Sequence, residues 1–218
     1  MKRWLTCCLA ALALVGCATR PQRPAPGPTA STTVAELAAA IAADAQRSER
    51  ESDSKLRASL ADEALRNAEA CLALDPHGVA CLYGHAVALG LEARAHPTRA
   101  GDLLNTMLAA LTSAEAADAS FDEAGPARVR ALVLVRAPGW PLGPGDPDEG
   151  LAAARRAVGL RPQYPPNLLA LAEALAKTGD ANGARKNYAL ARSVAEALPP
   201  TTDRDDWLRE ADQALQHR

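Results

Sequence analysis

His77, Cys81 and His85 are spaced at i, i+4 and i+8. On a helix they would share one face and offer two imidazoles and a thiol to a metal ion. The first and last would stand about 12 Å apart along the axis, too far for one ion. Only neighbours could share it and no third ligand is evident, so neither a metal nor another cofactor is expected. Cys81 has a second option, because Cys71 lies across an intervening turn. The pair suits either a disulfide in an oxidising compartment or two small buried thiols. Arg128 and Arg136 bracket Leu132 on a predicted helix. If that helix lines a concave surface, the two guanidinium groups and the Tyr83 ring can receive an acidic peptide or a carboxylate. Solvated arginines and a packed tyrosine are the plain alternative. Trp140 sits in a loop rich in Pro and Gly, where it either anchors a partner or folds down over the gap between two helices. There is no nucleophile elbow, phosphate-cradling Gly loop or HExxH, and no carboxylate pair on an obvious scaffold, so catalysis is not expected.

The elements that must position these residues are helices. About a quarter of the chain is alanine, isoleucine occurs once, and Leu, Arg and Glu are plentiful, a composition that favours helix over strand. The 218 residues are 48% hydrophobic and 23% charged, enough apolar material for a core, so a wholly disordered chain is excluded. A net charge of −2 and only 3% aromatics exclude a basic or base-stacking nucleic-acid surface. Prolines and capping residues then divide the chain. They predict nine helices, over about 33–47, 53–74, 78–95, 97–117, 126–136, 147–160, 165–177, 181–198 and 202–216. Residues 138–147 form a Pro/Gly-rich loop between the fifth and sixth helices.

Two of these segments are self-similar. EALRNAEACLALDP ends at Pro76 and EGLAAARRAVGLRP ends at Pro162. Small residues recur at Ala64, Ala68 and Cys71 and again at Gly150, Ala154 and Ala157. NLLALAEALAKTGDANGARKNYALA supplies both helices of such a unit, with Gly179 at the turn and Ala184 and Ala191 beyond it. This pattern resembles the tetratricopeptide repeat, well over 148–198, less well over 58–76 and poorly over 97–125. The resemblance implies antiparallel helical hairpins stacked as an all-α solenoid across 33–218, about four units and a capping helix, with Ala154, Ala157, Ala184 and Ala191 facing neighbouring helices.

The N-terminus reads as an address. Lys2 and Arg3 precede an apolar stretch from Leu5 to Val15, too short to cross a bilayer, which ends in Leu14-Val15-Gly16-Cys17. That ending resembles the lipobox of bacterial lipoproteins. It implies a signal peptide over 1–16, cleavage before Cys17, acylation of Cys17, and, with Ala18 next, an outer-membrane location facing the periplasm. Loss of 1–16 would leave a mature charge of −4. Pro21, Pro24, Pro26 and Pro28 make 17–32 an extended tether, reaching some 40 Å at about 3.1 Å per residue.

Residues 124–158, with their GPAR start, APGWPL loop and GDPDE helix start, resemble the T-component lipoproteins of TRAP transporters. Those are helical-repeat proteins thought to meet a periplasmic solute-binding protein. Together the resemblances imply a lipid-anchored scaffold for a periplasmic protein or peptide segment, with Tyr83, Arg128, Arg136 and Trp140 at its binding surface. A small-molecule carrier, its ligand enclosed by the repeats, is the alternative.

Overall fold

A computed structural model describes residues 32–216. Among them the chain forms nine α-helices: α1 (Val34–Arg50), α2 (Ser54–Leu74), α3 (Val79–Ala95), α4 (Ala100–Ala117), α5 (Phe121–Arg136), α6 (Pro147–Leu160), α7 (Pro165–Lys177), α8 (Ala181–Glu196) and α9 (Thr202–Gln216). The expected signal peptide, Cys17 and nearly all of the expected tether lie outside the described residues.

The helix starts are chemically marked. Thr33 and Glu36 close a reciprocal capping box on α1: the Glu36 amide donates to Thr33 Oγ1 at 3.2 Å and the Thr33 amide to Glu36 Oε2 at 2.7 Å. Asp53, Asp146 and Asp180 accept the first free amides of α2, α6 and α8. Pro147 and Pro165 occupy first-turn positions where no amide is needed. Gly179, at φ +92°, turns the chain from α7 into α8 with a backbone that a Cβ would disfavour.

Helices pair as antiparallel hairpins α1/α2, α3/α4, α5/α6 and α7/α8, with α9 packed on α8 and α7. The odd-numbered helices also touch one another in sequence, whereas no even-numbered helix reaches another even-numbered one among the described residues. A stack pinched on one side and fanned on the other curves toward the pinched side. The odd helices therefore line the concave face. Close approach rests on small side chains. Ala64, Ala68 and Cys71 of α2 and Ala154 and Ala157 of α6 are fully buried, as are Ala184 and Ala191 of α8 to within a few per cent. At Gly150 a Cβ would fall 2.7 Å from Val135 Cγ2 and 3.2 Å from the Ala131 carbonyl oxygen, so α5 and α6 meet as closely as they do because the position is glycine.

Two departures concern helix starts. The residues after Pro97 wind first as a 3-10 turn, Pro97–Arg99, before α4 begins. The α-helical stretch opened by Pro126 is preceded by a left-handed turn: Asp122, Glu123 and Ala124 have φ of +48°, +54° and +65°. Left-handed backbone costs about 1–2 kcal/mol for each residue with a Cβ, so three in succession need strong local compensation.

The candidate binding groove and its buried anchor

The concave face holds two contiguous open cavities. One, about 640 Å³, lies between α1, α3, α4 and α5, with Leu91, Leu104, Met107, Val129 and Leu132 in its wall. The other, about 470 Å³, lies between α1 and α3 and is walled largely by alanines, Ile41 and Phe121. Ala45, Tyr83 and Val87 border both, so Tyr83 stands on the ridge dividing one groove into two compartments. The walls are mostly apolar, with Glu49, Arg94 and Arg136 the charged residues lining the larger compartment and Asp122 the one lining the smaller.

Behind Tyr83 lies a polar cluster that sequence reasoning did not assemble. The Tyr83 hydroxyl donates to Asp122 Oδ2 at 2.8 Å. Burial holds its phenol far above the ordinary value, against the pull of Arg128, so it remains a donor. Arg128 donates through Nη2 to the same Asp122 oxygen at 2.8 Å. Its Nη1 donates to the carbonyl oxygens of Asp122 and Glu123, at 3.1 and 3.2 Å, and to Asn167 Oδ1 at 3.1 Å. Asn167, fully buried, donates in turn to the carbonyls of Glu123, Arg161 and Ala157. Tyr164 lies face-on to the Arg128 guanidinium at 5.2 Å. These bonds satisfy the carbonyls of the left-handed turn and supply the compensation it requires. They also tie α3, α5, α6 and α7 at one point.

Arg128 is therefore not a groove residue. It is 8% exposed and turned into the protein, a correction to its expected place beside Arg136. The two arginines stand eight residues apart on α5, yet only Arg136 borders the cavity. Arg136 does reach the groove, and its guanidinium fork is engaged there by Glu173 of α7, at 2.8 and 2.7 Å. The hydrogen bonds to Glu173 raise its already high pKa, so it is a fixed cation. Trp140 is 91% exposed, which removes the reading as a plug between helices. Its loop closes on itself through Gly145 N–H to the Pro138 carbonyl (2.9 Å) and presents Trp140, cis-Pro141 and exposed Leu142 outward. No signal in the sequence marked Asp122 or Glu123. Asn167 had a faint one, as the sole amide side chain in the apolar run that follows Pro165-Pro166.

Cys71 and Cys81 are joined in a disulfide across the α2–α3 turn, with Cα atoms 5.2 Å apart, so of the two open readings the bridge holds. Cys81 is then no metal ligand for His77 or His85. Burial lowers the His85 pKa, against the pull of Glu69. Replacing both cysteines by serine is expected to cost about 2–3 kcal/mol through the loop of ten residues. Calorimetry should read this as a melting temperature lower by about 5–10 °C. A reductant should reproduce the drop in the native chain and leave the double variant unchanged.

The crystal structure of a thermophilic TPR protein from Thermus thermophilus superposes on this chain with a TM-score of 0.56. The chains are 21% identical, and the match covers 84% of this one and 92% of that one. The fold is a tetratricopeptide-like solenoid. No protein-family model matches the chain, and no curated protein matches it.

Proposed function

We propose that this chain is a lipid-anchored, periplasm-facing scaffold that binds a protein partner in the groove between α1, α3 and α5. The observation that carries the reading is the open, mostly apolar groove itself, with Tyr83 shared by its two compartments. An open cleft of this length suits an extended or helical segment of another protein, whose apolar side chains would fill two compartments in succession. The lipobox-like ending at Cys17 supports an anchor in the outer membrane, and the Pro-rich stretch after it supports a standoff from the bilayer. The narrowest form of the proposal is an accessory component of a TRAP-type uptake system, whose partner is the periplasmic solute-binding protein. It rests on the resemblance over 124–158, and Trp140 and Leu142 at the exposed loop tip are the residues that would meet that partner outside the groove. Nothing in this role calls on a catalytic group.

Leu132→Glu tests the groove, because Leu132 is only partly buried and its replacement leaves the helix contacts of α5 in place. Partner recovery by the detergent-solubilised variant is expected to fall tenfold or more, since burying one leucine contributes about 1.5–3 kcal/mol and a carboxylate in its place opposes docking. Undiminished recovery of every partner would remove the groove from the proposal. The small-molecule reading keeps one observation in its favour, that the larger compartment alone has the volume of a ligand site. Native mass spectrometry showing a stoichiometric bound small molecule, displaced by Leu132→Glu, would favour it instead.

A further inference from the structure

Among the described residues two buried side-chain polar atoms lack a hydrogen-bond partner, Glu92 Oε1 and Arg130 Nε, and Arg130 has its other nitrogens bonded to Thr112 and Glu149. Glu92 lies in the last turn of α3 and is 4% exposed. Arg128 and Asn167 are buried to a similar degree with every amide or guanidinium contact described above, and Asp44 accepts from Arg47 at 3.3 Å. A carboxylate oxygen withdrawn from water without a donor is expensive, by several kcal/mol in a low-dielectric setting. The neighbours of Glu92 sharpen the problem. Asp62 of α2 brings a second carboxylate to it, in the antiparallel register that also sets Cys71 opposite Cys81. His96, one helical turn past Glu92, places Nε2 3.5 Å from Glu92 Oε2. One ligand atom from each of Asp62, Glu92 and His96 lies within 4.8 Å of the others.

We propose that Asp62, Glu92 and His96 form a site for a divalent transition cation, with Zn2+ the best fit. Two carboxylate oxygens and an imidazole nitrogen are a donor set for zinc, whose ligands stand about 2.0–2.2 Å from the ion. The imidazole disfavours calcium and magnesium, which take oxygen ligands. Donor atoms around such an ion are roughly 3–4 Å apart, and the side chains of Asp62 and His96 are exposed enough to close the remaining distance without moving a helix. The buried Glu92 would be the fixed ligand and the two exposed groups the ones that swing in. Such an ion neutralises the paired carboxylates and occupies the orphaned oxygen. It also cross-links the open end of the α2–α3 hairpin, nine residues along α2 from the disulfide that closes the turn end. Leu91 and Arg94, which line the groove, flank Glu92 on α3, so the ion would stiffen one groove wall. The sequence pattern at His77, Cys81 and His85 gave no hint of this set, whose members come from two helices and a helix end.

The test is calorimetric titration of Zn2+ into the full chain, thiols alkylated and the Cys71–Cys81 bridge intact, beside melting curves in zinc and in EDTA. The native chain is expected to bind one Zn2+ with micromolar or tighter affinity. Its melting temperature should rise by about 5–10 °C at a hundredfold excess over Kd. Asp62→Asn and His96→Ala, both at exposed side chains, should weaken binding at least tenfold, and Glu92→Gln at least a hundredfold, while His77→Ala binds as the native chain does. In EDTA, Glu92→Gln should melt no lower than the native chain, because a neutral amide removes the carboxylate repulsion. Absence of saturable binding would overturn the proposal and leave a proton shared between Glu92 and Asp62 as the occupant. Equal affinity in the native chain, Asp62→Asn and His96→Ala would equally overturn it.

Discussion

Arg128→Ala is expected to lower the stability of the solenoid by about 3–5 kcal/mol. The guanidinium bridges the Asp122 carboxylate, two carbonyls of the left-handed turn and the Asn167 amide oxygen. Removing it leaves the backbone of residues 122–124 strained and part of Asn167 buried without its donor, and an unmet buried polar group costs about 1–3 kcal/mol by itself. The melting temperature should fall by about 6–20 °C, and cleavage by a broad protease should appear first near residues 122–124. Arg128→Lys should recover little, because one ammonium cannot span the positions that a planar fork joins. Arg136→Ala is the contrast. Its partner Glu173 is held at the surface, where such a pair contributes about 0–1 kcal/mol, so its melting temperature should barely move. A melting temperature for Arg128→Ala within about 2 °C of the native value would refute the role assigned to the cluster.

Cys17→Ser is expected to abolish membrane recovery of the proposed lipoprotein. Each methylene of an acyl chain buried in the bilayer contributes about 0.8 kcal/mol, so two or more chains hold a protein where one binds only transiently. None of the described helices is long and apolar enough to cross a membrane. Cleavage as proposed would leave a charge of −4, which gives no general attraction to an anionic surface. Mass spectrometry of the native protein should find a chain beginning at Cys17 and carrying acyl groups. The serine variant, exported behind an ordinary cleavable leader so that residues 1–16 do not themselves retain it, should appear in the soluble fraction without the acyl mass. Unchanged membrane recovery of that variant would rule out lipidation.

Much of this architecture can be read in one dimension because its determinants are local. A capping threonine with Glu36 three residues on, a proline after Asp75 and after Arg161, and a glycine at the α7–α8 turn act within a few residues of where they stand. The small-residue pattern of α2 and α6 is legible for a different reason. It is written twice, and close helix contact leaves little choice of residue. The groove residues were only partly legible. Tyr83 and Arg136 do border the cavity, whereas the direction of Arg128 depends on the rotation of α5 about its axis, and a left-handed turn before Pro126 sets that rotation.

What the sequence determined alone is therefore the helix boundaries, the all-α stack and the small-residue seams, since each follows from neighbours along the chain. The tertiary structure decided which polar groups went inside. Arg128 became the anchor of the core, Glu92 came to face Asp62, Cys71 came within bonding distance of Cys81, and Trp140 was left in water. Those outcomes depend on distances between helices and on their axial rotation, and burial of a charge is settled by the partners that packing brings to it.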